Sequence, residues 1–110
     1  MSTARVTRLF VGVLLAAGTW AAVSARAATI QITVDQMAFT KEKVTATVGD
    51  TIEWINKDVV DHTSTAKKGE WNVSLPPGAK AQTVLKKAGT FEYLCKYHPN
   101  MTGTVVVKGK

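Results

Sequence analysis

Short stretches in which apolar and polar residues alternate, cut off from one another by glycine and proline, leave this chain few ways to fold. In TIQITV (29–34) Ile30, Ile32 and Val34 share one face, and in KVTATV (43–48) Val44, Ala46 and Val48 do, which is the period of two that a half-buried strand requires. Gly49 and Asp50 interrupt this pattern, and TIEWIN (51–56) resumes it with Ile52 and Trp54 in register. The interruption predicts two strands joined by a tight turn. Pro76-Pro77-Gly78 predicts another turn, QTVLK (82–86) a short strand, and Ala88-Gly89 a third reversal. After it TFEYLC (90–95) places Phe91, Tyr93 and Cys95 on one face, and GTVVVK (103–108) reads as a final strand. No segment from 28 to 110 sustains a helical period, and none repeats. Many short strands separated by turns predict an all-β fold, a small antiparallel β-sandwich.

Residues 1–27 follow another pattern. Arg5 and Arg8 precede an apolar run from Leu9 to Val23, and Ala25 and Ala27 then form an A-x-A cleavage signal, so this segment reads as a secretory signal peptide. The apolar run falls short of the ~20 residues of a spanning helix, and no cysteine near the cleavage point suggests a lipid anchor. A domain of residues 28–110 is therefore expected, periplasmic or otherwise exported, with no membrane span after cleavage. The 14 basic residues include three arginines, all within 1–27, so the domain carries 11 lysines against 8 carboxylates, a net charge of +3. Scattered lysines without arginine or interleaved aromatics exclude a nucleic-acid footprint. The chain has a single cysteine. In an exported protein such a thiol is buried and inert, paired with another chain, or held by a metal.

That cysteine opens CKYHPNM, residues 95–101, between two of the expected strands. Pro99 bars a regular helix or a central strand there, so Cys95, His98 and Met101 lie in a short loop where they are free to converge. Each has an ordinary reading alone: a small buried hydrophobe, an exposed imidazole, a packing thioether. Together they place three sulfur or imidazole donors within seven positions of a chain that has 2 histidines in all. The other histidine, His62 in KDVVDHTS, follows TIEWIN and can reach the same end of a sandwich. Thiolate and thioether are soft ligands, imidazole suits copper and zinc alike, and a methionine sulfur suits zinc poorly. Two histidines and a cysteine with a weaker methionine are the donor set of a blue-copper electron-transfer site.

These residues also carry a family resemblance. Cys95-x-x-His98-x-x-Met101, with VGDTIEWIN leading to His62, is similar to the cupredoxins. The short loop most resembles amicyanin, with plastocyanin and pseudoazurin as relatives. The likeness runs through TIQITVDQMAFTKEKVTATVGD and LPPGAKAQTVLKKAGTFEYLCKYHPNMTGTVVVK, nearly all of 28–110. It implies a Greek-key β-sandwich binding one type 1 copper ion, Cu(II)/Cu(I), through His62, Cys95, His98 and Met101. It further implies a small soluble monomer, without catalytic residues, that shuttles single electrons between redox partner proteins such as a dehydrogenase or a cytochrome c. In the family, electrons pass through the edge of the loop histidine, ringed by apolar residues. Val59, Val60, Pro77 and Pro99 are candidates for that rim, with Met37. Lys96 within the loop, and Lys57, Lys67 and Lys68 in the segments flanking His62, would steer an acidic docking surface if they cluster near it. The chain departs from the family pattern in two places. Around the upstream histidine, ordinarily preceded by a proline or glycine and followed by an asparagine, this chain has Asp61-His62-Thr63, and after the cysteine, where a hydroxyl residue ordinarily ties to that asparagine's side chain, it has Lys96. The usual tie cannot form, and the Thr63 backbone N–H is expected to donate to the Cys95 sulfur.

Other functions can be built on the same residues. A copper-binding storage or delivery protein without redox duty would also use a thiolate, imidazoles and a thioether. Copper enzymes need further histidine-rich centres, and both histidines are already assigned. Asp61 beside His62 suggests an acid–base pair, yet adjacent residues near a strand end point apart. A zinc-stabilised sandwich is disfavoured by Met101.

Overall fold

The structure, a computed structural model, describes residues 26–110 together with Thr3 and Gly12. The expected signal peptide lies almost wholly outside the described residues. Among the described residues nine strands follow in chain order: β1 (Thr29–Asp35), β2 (Ala38–Phe39), β3 (Lys43–Thr47), β4 (Thr51–Asn56), β5 (His62–Ala66), β6 (Asn72–Leu75), β7 (Lys80–Val84), β8 (Gly89–Leu94) and β9 (Thr102–Lys108). They form two sheets, ordered β2-β1-β4-β7 and β3-β9-β8-β5-β6. No helix occurs among the described residues. The expected all-β sandwich is thus present, with one difference in pairing.

Each sheet is mixed. β1 runs parallel to β4 and β3 runs parallel to β9, while the other pairs are antiparallel. The tight turn at Gly49-Asp50 accounts for the difference, because it joins β3 and β4 across the two sheets and closes no hairpin. Gly49 supplies a φ of 97°, a left-handed conformation that residues with a Cβ avoid. Asp50 then fixes the crossing: its Oδ2 accepts the Thr47 N–H at 2.8 Å and its Oδ1 the Ala28 N–H at 2.8 Å. Both bonds favour the carboxylate and hold the Asp50 pKa below the usual range, against an opposing effect of burial.

The alternating faces meet between the sheets. Ile32, Val34, Ile52, Trp54, Tyr93 and Val105 are all 0% exposed, each side chain contributing roughly 1.5–3 kcal/mol through burial of apolar surface. Phe39 and Trp54 pack edge-on against Tyr93, with ring centroids 4.8 and 5.0 Å away. The indole N–H groups of Trp54 and Trp71 donate to Thr83 and Ser64, each at 3.0 Å. The Tyr93 hydroxyl has no hydrogen-bond partner among the described residues. The ring lies so close to Gly103 on β9 that a Cβ there would overlap it.

Three strands went unanticipated by alternation. β5, HTSTA, is buried at four of its five positions, and its polar composition conceals a strand covered on both faces. β6 has four residues and β2 has two, too few to establish a period. β7 lies two residues before the expected QTVLK segment.

Several connections gather at one end of the sandwich: the β1–β2 turn, the loop 57–61, the turn 76–79 and the loop 95–101. Asn56, 1% exposed, organises two of them. Its Nδ2 donates to the Val60 and Leu75 carbonyls at 2.9 and 2.8 Å, and its Oδ1 accepts the Asp58 N–H at 2.8 Å. The main chain of the 76–79 turn closes on Asn56 from the other side, through Asn56 N–H to the Ala79 carbonyl and Gly78 N–H to the Asn56 carbonyl.

Candidate metal centre

β5 begins at His62 and β8 ends at Leu94, so the two strands deliver His62 and Cys95 to the same end from opposite chain directions. The loop after Cys95 is closed by its own backbone. Cys95 N–H donates to the Met101 carbonyl at 3.0 Å, and Met101 N–H donates to the His98 carbonyl at 2.8 Å. This closure turns His98 back toward the cysteine.

The Cys95 sulfur lies 3.7 Å from Nδ1 of His62 and 3.7 Å from Nδ1 of His98. The three donor atoms all fall within 4.8 Å of one another. With metal–nitrogen and metal–sulfur distances of about 2.0 and 2.3 Å, the two sulfur–nitrogen separations of 3.7 Å are short enough for Cys95 to share one ion with either imidazole. His62 and Cys95 are 0% exposed, and His98 is half-buried. Met101, the fourth expected donor, is 5% exposed and belongs to the same buried cluster as Cys95.

The environment favours a thiolate. Burial alone would raise the Cys95 pKa, but N–H groups of Thr63 and Tyr97 and both imidazoles surround the sulfur and bring it to about 6. The expected Thr63 N–H bond to Sγ is present at 3.3 Å. A buried thiol that is readily ionised suits a metal ligand.

His62 is oriented from behind by a residue that alternation and motif spacing had not singled out. Its Nε2 lies 2.8 Å from Oδ2 of Asp58. With the proton on Nε2 donated to the carboxylate, Nδ1 presents a lone pair toward Cys95. The same carboxylate accepts the N–H groups of Gln36 and Met37, at 2.9 and 3.0 Å. Those two residues have φ of 49° and 59°, and the bonds hold them in that turn. The Met37 N–H is foremost in lowering the Asp58 pKa; burial opposes it, and His62 and the Gln36 N–H add to the lowering. The available signal was an acid four residues before a candidate ligand. Asp61, the adjacent acid, is exposed, as expected of neighbouring side chains that diverge.

The surface residues divide. Val59 is 90% exposed and Val60 41%, and Pro77, Pro99 and Met37 are also exposed, as is Tyr97, which lies next to His98 in the loop. Lys57 and Lys96 are exposed at this end. Lys67 and Lys68 do not join them. They follow β5, roughly 16 Å of strand away from His62, and Lys67 pairs with Glu92 at 3.4 Å.

Residues 7–107 match the Cupredoxin-like domain family. The chain belongs to the cupredoxin-like family. This cupredoxin is 30% identical over 95 residues to the amicyanin of Paracoccus versutus, a match covering 80% of this chain and 71% of that protein. It is 34% identical over 101 residues to amicyanin-alpha of Methylorubrum extorquens, covering 86% and 85%. Among solved structures, an oxidized amicyanin mutant superposes with a TM-score of 0.66 at 27% identity, covering 72% of this chain and 81% of that one. The purple cupredoxin of Nitrosopumilus maritimus shares the fold, with a TM-score of 0.64 over 72% of this chain and 99% of that one. The cupredoxin's cofactor is a single type 1 copper, and the thiolate–imidazole geometry around Cys95 fits that ion.

Proposed function

We propose that His62, Cys95, His98 and Met101 hold the copper of this protein and that it shuttles single electrons between redox partner proteins. The convergence of Cys95 with both histidines carries the reading. Copper in such a set supplies a one-electron couple between Cu(II) and Cu(I). Cys95 offers a thiolate already stabilised by N–H donors, and Asp58 fixes the His62 ring. Cys95 and His62 are both buried, one directly after the end of β8 and the other at the start of β5, so the donors need little rearrangement when the charge of the site changes.

His98 provides the route outward. It is the half-buried member of the set, and Val59, Val60, Tyr97 and Pro99 lie beside the ligands in sequence. An apolar surface of this kind suits a small, transient contact with a partner, for which a dehydrogenase or a cytochrome c remains the expected class. Lys57 and Lys96 favour an acidic docking surface. The protein acts as a monomeric carrier and not as an enzyme. Residues 1–27 direct export to the periplasm or beyond and are removed there, leaving 28–110 as the working domain. Among the described residues no helix is long and apolar enough to cross a membrane.

Voltammetry of the copper-loaded protein tests the carrier role. Reversible one-electron cycling with the metal retained is the expected result. Release of copper on reduction would instead favour storage or delivery.

A further inference from the structure

We propose that the Thr63 hydroxyl is a positioning group for the metal loop, replacing the missing asparagine tie with a bond to the main chain after Cys95. β5 and β8 pair at Thr65 with Leu94 and at Ala66 with Tyr93. Continued by the same register, Thr63 would stand opposite Lys96, but β8 has ended at Leu94. The Lys96 N–H instead donates to Oγ1 of Thr63 at 2.9 Å. The side chain thus provides the acceptor that a strand carbonyl no longer provides.

The Thr63 hydroxyl is itself anchored. Thr65 Oγ1 donates to Oδ1 of Asn72 at 2.9 Å, so its proton is committed and it accepts from Thr63 Oγ1, 3.0 Å away. A directed relay results, from Lys96 N–H through Thr63 and Thr65 to Asn72 on the neighbouring strand. Thr63 is 4% exposed, so water does not readily replace it. Its backbone N–H meets the Cys95 sulfur at 3.3 Å, and one residue therefore holds both the thiolate and the peptide that follows it. Relaxing the peptide lengthens the N–H to sulfur bond, leaves more negative charge on the thiolate and favours Cu(II).

The inference rests on the copper reading above, and the test separates the two. Thr63→Val keeps the shape and the backbone N–H but lacks the hydroxyl; Thr63→Ser restores it. Hydrogen exchange of the Lys96 amide is followed in metal-free and copper-loaded protein, and the reduction potential is measured on the latter. Thr63→Val should speed Lys96 exchange about tenfold, the loss of one ordinary hydrogen bond, and lower the potential. Thr63→Ser should restore both to the wild-type values. Thr65→Val, which cuts the relay one link later, should speed Lys96 exchange by a smaller factor. Unchanged Lys96 exchange in Thr63→Val, or in Thr65→Val should Thr63→Val not fold, overturns the tie. A changed exchange rate with an unchanged potential overturns its role at the metal. A wild-type protein that takes up no copper overturns the copper reading alone, since Lys96 exchange in the metal-free protein still decides the tie.

Discussion

Asp58 and His62 are joined by a 2.8 Å bond between carboxylate and imidazole Nε2, on the side of the ring away from Cys95. A carboxylate in that position increases the electron donation of the imidazole and fixes its tautomer. Asp58→Asn should weaken copper binding about 10–100-fold and raise the reduction potential, because a less basic imidazole stabilises Cu(II) less. Competition with a chelator and voltammetry measure the two effects. Equal affinity and potential in the variant would remove Asp58 from the site.

Asn56 governs the loop 57–61, which carries Asp58 and leads into His62. Asn56→Ala leaves the Val60 and Leu75 carbonyls and the Asp58 N–H without their partner. Unfolding in urea should show a loss of about 2–4 kcal/mol. A loss below 1 kcal/mol would mean that water satisfies these groups.

Tyr93 presents the opposite case. Its hydroxyl is buried and unpaired among the described residues, and burial holds its pKa above the ordinary tyrosine value. Removing an unsatisfied polar atom relieves its desolvation, so Tyr93→Phe should stabilise the fold by about 0.5–1 kcal/mol in urea unfolding. Gly103→Ala should destabilise by roughly 1–3 kcal/mol through overpacking against the same ring. A destabilised Tyr93→Phe would reveal a partner for the hydroxyl.

Asp50 makes stability depend on pH. Its folded pKa is depressed by the Thr47 and Ala28 N–H groups, so its contribution is fully present above the unfolded carboxylate pKa of about 4. The contribution is lost as pH falls through the lower folded value. Urea midpoints followed downward from pH 5 should fall less steeply for Asp50→Asn than for wild type. Parallel curves would exclude Asp50 as a source of the acid loss.

Lys96 should affect electron exchange through its charge, since its backbone N–H is engaged and its side chain is exposed. Lys96→Glu is expected to slow oxidation by an anionic reagent such as ferricyanide at low ionic strength, with the difference shrinking toward 0.1 M salt, where the Debye length is about 10 Å. Equal rates at low salt would place the exit route elsewhere.

Local rules made much of this molecule legible. Alternation identified β1, β3, β4 and β8 because one face of each is more buried than the other, GTVVVK was legible as the final strand β9, and the spacing of Cys95, His98 and Met101 identified the loop. The strand beginning at His62 was not legible, because β5 is polar in composition yet buried. The pairing across Gly49-Asp50 was hidden for a related reason, since a tight turn gives no sign of whether it closes a hairpin or changes sheets. Asp58 and the Thr63 hydroxyl act through contacts 4 and 33 residues away in sequence, and only the fold brings those groups together.

The visible spectrum during titration with Cu(II), recorded for wild type and for Cys95→Ser, addresses the central claim most directly. One equivalent of copper should produce an intense blue absorption in the wild-type protein and none in the variant. A colourless wild type, or equal colour in both, would contradict it.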